Sequence, residues 1–140
     1  MSIDVNLPVV DDAVLMRVAE IVYKLTRKEF TFQVARNVSC ATAADTRIKL
    51  ATVPAAKFWV PVFCVVSADG LCQFYFKIGA AGSPTEITGG WIPQGGGTVP
   101  VLWPSWRLDA TQVFEIWIRN DSGVTRNATG SMHAIEETIP

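Results

Sequence analysis

The sequence predicts a mainly β protein, an antiparallel β-sandwich or jelly roll of about eight strands preceded by one N-terminal amphipathic helix. Three observations predict this class. Apolar residues recur at helical spacing only between residues 11 and 29. After Phe30 they alternate with polar residues, which is the period of a strand with one buried face. Turn signals, and no second helical segment, separate the alternating stretches, which disfavours a parallel sheet with crossover helices.

The chain of 140 residues fits a single domain. We divide it into an N-terminal arm (1–10), the helix (11–29) and the sandwich (30–140). About half of the residues are hydrophobic and only 18% are charged. A monomer of this composition would expose apolar area, and exposed apolar area marks an interface. We therefore expect a homo-oligomer, with a trimer as the favoured form, or assembly with a partner.

The helix carries an apolar stripe at a/d spacing that comprises Leu15, Val18, Val22 and Leu25. Asp11 and Asp12 precede it and suit the positive end of the helix dipole. Helices of this length are marginal in water when isolated. The stripe must therefore pack on its own sandwich or on other subunits, and its four residues are candidate interface residues.

The strands that follow differ in pattern. Residues 58–66 (FWVPVFCVV) are apolar on both faces, which indicates a strand covered on both sides. Pro61 within it requires an edge strand or a bulge, because proline lacks the N–H that a central strand donates. The turn at 67–70 predicts a hairpin to the next strand. We expect one shared core face, with Glu115 on the opposite face, formed by Phe74, Phe76, Ile78, Phe114, Ile116 and Ile118.

The stretch from Gly89 to Trp106, GGWIPQGGGTVPVLWPSW, contains three of the five tryptophans and five of the ten glycines. It predicts a loop that docks on a partner, between a short strand at Thr85–Trp91 and another at Thr98–Trp103, with Trp103 in the core. The exposed tryptophans have two interpretations: a subunit interface, where Trp is enriched, or a sugar-binding platform. The interface is favoured because charge is low. The candidate residues for either are Trp59, Trp91, Trp106, Trp117 and Arg107, with Gln94 and Asp109 as further hydrogen-bonding groups.

Other function classes find little support in the sequence. The 12 basic and 13 acidic residues form no concentrated positive field, so no nucleic acid partner is expected. Cys40, Cys64 and Cys72 with the single His133 do not make a zinc site, and we expect no metal and no cofactor. Free buried thiols are the default, and a Cys64–Cys72 bridge across the hairpin is the alternative. No nucleophile-elbow pattern occurs, so we expect no enzyme.

The first residues, MSIDVNLPVVDD, lack the basic-then-apolar order of a secretory signal, and no apolar run has the length of a membrane span. We therefore expect synthesis in a cytoplasm, with neither secretion nor a membrane partner.

The helix PVVDDAVLMRVAEIVYKL and the Gly/Pro-punctuated strands after Phe30 resemble the small virion proteins of tailed bacteriophages, the capsid decoration or cement class. The resemblance covers most of the chain as a pattern, and no motif carries functional residues over. It implies a non-enzymatic virion subunit that is made in the host cytoplasm and binds a lattice of the major capsid protein, often as a trimer. The alternative is a carbohydrate- or receptor-binding module such as a fibre tip. A hydrolase on a sandwich scaffold is a third reading.

Overall fold

The computed structural model describes residues 11–25, 28–102 and 106–139. The predicted arm and Trp103 lie outside them. The elements are α1 (Asp12–Leu25), β1 (Lys28–Cys40), β2 (Ala44–Thr52), β3 (Lys57–Ala68), β4 (Cys72–Gly79), β5 (Thr85–Ile92), β6 (Gly97–Leu102), β7 (Val113–Asn120) and β8 (Arg126–Thr138). The helix is shorter than the predicted 11–29, because Lys28 and Glu29 already pair with β8.

The eight strands form two four-stranded antiparallel sheets. Sheet A has the order β1-β8-β3-β6, and sheet B has the order β2-β7-β4-β5. The mainly β sandwich class with a preceding helix is therefore confirmed. The edge strands of sheet A are β1 and β6, while β8, the last strand in sequence, is central.

The core lies between the sheets and matches the predicted register. Phe74, Phe76, Phe114, Ile116 and Ile118 are fully buried, and Ile78 is half-buried against them. Sheet A contributes mostly small residues from β8 to the same core, namely Ala128, Gly130 and Ala134, together with Met132. A Cβ on Gly130 would lie 3.0 Å from Ile116 Cδ1 and 3.1 Å from Ile48 Cδ1. Glycine at this position therefore lets the two sheets approach closely.

Strand β3 corrects one expectation and resolves another. It is central, between β8 and β6, and its pairing with β8 shifts between Pro61 and Phe63. The bulge reading of Pro61 is therefore the right one. The predicted hairpin from β3 to β4 is wrong, because the two strands lie in different sheets and residues 69–71 cross between them. Cys64 and Cys72 are buried and form no disulfide, so the alternative bridge is also wrong.

Glu115 lies on the outer face of sheet B as its alternation requires, yet it is only 4% exposed. Its Oε1 accepts a hydrogen bond from Trp117 Nε1 at 2.7 Å, and its Oε2 lies 3.5 Å from Arg47 Nη1. Glu115 is therefore on the predicted face and is nevertheless buried. The long neighbouring side chains cover the carboxylate and supply its partners.

Candidate interaction surfaces

Helix α1 is capped as its sequence suggests. Asp11 Oδ1 accepts from the Ala13 N–H at 3.2 Å, and the Asp11 carbonyl accepts from Val14 and Leu15 N–H at 2.9 and 3.0 Å. The bonds from Ala13 and Val14 satisfy N–H groups that the first turn of a helix leaves without α-helical partners, and the bond from Leu15 is the first regular bond of the helix. The helix therefore begins at a defined residue.

The apolar stripe of α1 is exposed. Leu15, Val18 and Val22 are each about half exposed, at 50–52%, and Val14 and Ile21 beside them are equally open. The side chain of Leu25 lies outside the described residues. Over residues 11–22, then, the stripe is not packed on the sandwich. Of the two alternatives that the sequence left open, packing on the chain's own sandwich is absent from this part of the helix.

The outer face of sheet A, which we call the apolar face, carries three cross-strand rows of mainly apolar residues. Phe30, Phe32 and Val34 occupy the edge strand β1, and Phe30 and Phe32 are 69% and 58% exposed. Their partners continue the rows as Ile135 and Val60, then His133 and Phe63, then Ser131, Val65 and Pro100. The alternation of β1 was visible in the sequence, but its apolar residues point away from the core.

His133 lies in the middle row of the apolar face. Its ring stacks on Phe63 with centroids 4.2 Å apart and an angle of 10°, and it meets the Phe32 ring edge-on at 4.9 Å and 82°. Ser131 Oγ lies 3.2 Å from His133 Nε2. The histidine therefore completes an aromatic row. This role was not predicted, because the sequence alone does not show which residues lie opposite it.

The outer face of sheet B, which we call the aromatic face, brings together two of the predicted site residues. Trp117 and Tyr75 are cross-strand partners with ring centroids 6.0 Å apart and an angle of 9°. Trp91 on β5 is 60% exposed and lies opposite Gln73. Tyr75 was missed as a candidate, although its alternation with Phe74 and Phe76 placed it outside the core.

Polar groups surround these rings and are largely paired with one another. Arg119 Nε donates to Asp121 at 2.9 Å, and its Nη1 lies 3.5 Å from Asp45 Oδ2. Burial, the charge of Asp45 and a hydrogen bond to that carboxylate raise the pKa of Tyr75 to about 12, so its phenol stays protonated. Lys77 Nζ lies 4.7 Å from the Trp117 ring centroid, a cation–π distance.

Beside this face is a cleft of about 320 Å³ between β2, β4, β7 and the loop that follows β4. Arg47, Lys77 and Glu115 contribute its charges, and Trp117 forms part of its wall. Two cations and one anion leave a small positive excess there. The aromatic face can therefore stack a planar or sugar ring and offer donors beside it.

The remaining candidates lie elsewhere. Trp59 is 2% exposed and faces the core, where its Nε1 donates to Glu136 Oε2 at 2.7 Å. Its prediction as a surface tryptophan is wrong. A strand that is apolar on both faces gives no sign of which side is inward. Trp106 is partly exposed, and the neighbouring Arg107 guanidinium lies 3.9 Å from the Phe58 ring centroid.

The tryptophan-rich stretch therefore has the two short strands that were predicted. It contains β5, a turn closed by the Gly96 N–H donating to the Pro93 carbonyl at 2.8 Å, and β6. Trp91 lies on sheet B, whereas Trp106 follows β6 near one end of sheet A. Two tryptophans that are close in sequence thus belong to different surfaces.

The described residues offer few groups for metal binding or redox chemistry. Within the described ranges no three His, Cys, Asp or Glu side chains come together as a metal site. Burial and the nearby Cys72 raise the pKa of Cys40 to about 11, so its thiol stays protonated. No helix in the described part of the chain is long and apolar enough to cross a membrane.

No protein-family model matches this chain, and no curated protein sequence does. Solved structures of similar shape include the crystal structure of PirA, with a TM-score of 0.44 and 13% identity over 74% of this chain and 92% of that one. The infectious bursal disease virus VP2 subviral particle gives a TM-score of 0.47 and 10% identity over 81% of this chain and 38% of that one. The cyanophage Pam1 capsid asymmetric unit gives a TM-score of 0.37 and 13% identity over 82% and 86%. The structural neighbours thus include viral capsid proteins, at low similarity. The fold itself is defined by the strand order of the two sheets.

Proposed function

We propose that this protein is a non-enzymatic structural subunit that assembles through α1 and the apolar face, and that it serves in a virion by binding and stabilising a capsid lattice. The observation that carries the proposal is the pairing of two open apolar surfaces on one small chain. Phe30 and Phe32 on the sheet and Leu15 and Val18 on the helix are each half or more exposed.

Assembly follows from the cost of leaving these surfaces in water. Burying a Leu, Val or Phe side chain stabilises by roughly 1.5–3 kcal/mol relative to full exposure. A helix of 14 residues also needs tertiary packing to persist. A chain that leaves both surfaces open therefore gains most of its remaining stability from neighbours. This is the behaviour of a subunit rather than of a free monomer.

The polar groups of the described residues fit a structural role. Glu115, Glu136 and Asn120, the buried or nearly buried polar side chains of the sandwich, are all bonded to neighbouring groups. Such groups fix the fold and are not poised for proton transfer. The resemblance to decoration proteins in the helix and strand pattern supports the virion setting, with synthesis in the host cytoplasm.

The test is assembly and lattice binding by the purified protein. We expect a mass above that of a monomer in multi-angle light scattering at micromolar concentration, and co-sedimentation with empty shells of the major capsid protein of the same virus. Phe32→Asp should reduce both. Val124→Asp is the matched control, because Val124 is also half exposed but lies in the loop before β8. A monodisperse monomer that binds no shell would refute the proposal.

A second candidate function, binding of a glycan or receptor, is favoured by the aromatic face. Trp91 is open to solvent there, with Gln73 opposite it and the Tyr75–Trp117 pair on the adjacent row. Exposed aromatic rings next to amide and guanidinium donors suit sugar rings. The test is quenching of tryptophan fluorescence on a glycan panel, with Trp91→Ala as the variant. Binding that survives this change would place the ligand elsewhere.

A further inference from the structure

We propose that α1 of one copy packs on the apolar face of a second copy, and that the two copies exchange helices reciprocally. The proposal rests on the assembly function above and names the partner of each open surface. It is based on the match between the exposed stripe of α1 that includes Val18 and the exposed row of the apolar face that includes Phe32.

The helix presents one continuous apolar sector. At 100° per residue, Val14, Leu15, Val18, Ile21 and Val22 fall within an arc of about 120°. All five are 50–52% exposed. A sector of this width is the usual core-facing stripe of a helix that packs on a protein surface.

The apolar face is as long as the exposed stripe of the helix. Val14 to Val22 spans about 12 Å along the helix axis at 1.5 Å per residue. Phe30 to Val34 spans about 13 Å along β1 at 3.3 Å per residue. The three rows of the apolar face therefore correspond to the length of the exposed stripe.

Charge selects one direction for the helix on this face. Arg36 is exposed and follows Val34 by two residues at one end of the rows. The N-terminus of α1 carries Asp11 and Asp12, both exposed. A helix that runs antiparallel to β1 places these carboxylates towards the Arg36 guanidinium. The opposite direction would leave this end of the face without an acidic partner from the helix.

The buried area favours a reciprocal pair of copies. From the fractions exposed, one helix–sheet contact would cover on the order of 500 Å² of apolar side chain, taking ~200 Å² for a phenylalanine and ~100 Å² for an aliphatic residue. A specific interface needs about 1,000 Å². Two contacts related by a two-fold axis reach this value, whereas a single contact does not. In each copy α1 is followed within two residues by the edge strand β1, so the two surfaces that exchange are carried by neighbouring segments of the chain. The proposed assembly is therefore a two-fold pair, whereas the sequence favoured a trimer.

Cross-linking tests the contact directly. Val18→Cys and Phe32→Cys are made separately, mixed and oxidised. The native Cys40, Cys64 and Cys72 are buried, so they do not compete with the introduced thiols for oxidation. We expect a disulfide-linked dimer only in the mixture. The alternative is that the helix packs on the apolar face of its own chain, and a chain carrying both changes tests it. An intrachain bridge at monomer mass would overturn the proposal, and so would the absence of a bridge in either sample.

A second measurement does not depend on disulfide geometry. Leu15→Asp should raise the Kd of the pair about thirtyfold or more in light scattering or ultracentrifugation. Met16→Asp is its matched control, because Met16 is exposed on the opposite side of the same helix, and it should leave the Kd within about threefold. Equal effects at both positions would overturn the exchange. If pairing is absent but co-sedimentation with shells persists, the exchange fails and the proposed function stands.

Discussion

Asn120 provides the sharpest test of how this sandwich is held together. It is fully buried at the end of β7, and its side chain joins three segments. Its Nδ2 donates to the carbonyls of Cys40 and Val124 at 2.9 and 2.8 Å. Its Oδ1 accepts from the Ser122 N–H at 3.0 Å and from Ser122 Oγ at 2.7 Å. All the hydrogen-bonding capacity of the amide is therefore used.

Asn120→Ala removes four hydrogen bonds and leaves the buried Cys40 carbonyl without that donor. At roughly 1 kcal/mol net for each bond, we expect a loss of about 4 kcal/mol of the free energy of unfolding. That is a large share of the about 5–15 kcal/mol of a typical domain. Urea denaturation followed by tryptophan fluorescence measures it, and the midpoint should fall by about 2 M.

Asn127→Ala is the matched control for this change. Asn127 is exposed, and its Nδ2 makes one long contact of 3.5 Å with Asp69 Oδ2. Its loss should cost about 1 kcal/mol or less. If the two variants unfold at midpoints within experimental error of each other, the Asn120 network does not stabilise the fold and the reasoning from its geometry is wrong.

Further predictions concern the core, the pH dependence and the aromatic face. Phe114→Ala should cost about 3–5 kcal/mol of unfolding free energy, whereas Leu50→Ala, at an exposed position, should cost much less; equal costs in urea would contradict the register. Burial opposes ionisation of Glu136, but hydrogen bonds from Lys57 and Trp59 and the charge of Lys57 outweigh it and lower its pKa. A carboxylate whose pKa is lower in the folded state stabilises the fold at pH values above its ordinary pKa of about 4.3. This stabilisation is lost as the pH falls through the pKa of the folded state. Melts between pH 6 and 3 should therefore show a steeper loss in wild type than in Glu136→Gln, and parallel curves would exclude the effect. Trp91→Ala should leave the melting temperature within a few degrees because the ring is open to solvent; a large drop would mean that it packs in the fold.

The fold class was predictable from the sequence because period-two alternation directly encodes which residues of a strand face the core. Phe114, Ile116 and Ile118 are buried as their alternation predicts. The partners of each strand were not predictable. Residues 67–70 give the same turn signal whether the chain forms a hairpin or crosses to the other sheet. The choice depends on which strands bury the most surface together, and β3 pairs with β8 rather than β4.

The candidate surfaces were predictable only in part, for a similar reason. Alternation identifies two faces of a strand but does not say which one is covered, so it could not show that Phe30 and Phe32 face solvent. In the strand that contains Trp59, both faces are apolar and alternation carries no information. Trp91 and Trp117 meet on one face because β5 and β7 both flank β4. No local pattern in the sequence reports that arrangement.

The central place of β8 in sheet A also constrains how the chain acquires its structure during synthesis. Phe30 pairs with Ile135, about a hundred residues later, and β3 pairs with the other edge of the same strand. Until β8 leaves the ribosome, no strand joins β1 to the β3–β6 pair, whereas β2, β4, β5 and β7 can already form the other sheet. Closing contacts at such separation is slow. Sheet B is therefore the natural template, and the nascent chain keeps the Phe30 strand exposed to aggregation until the last strand is made.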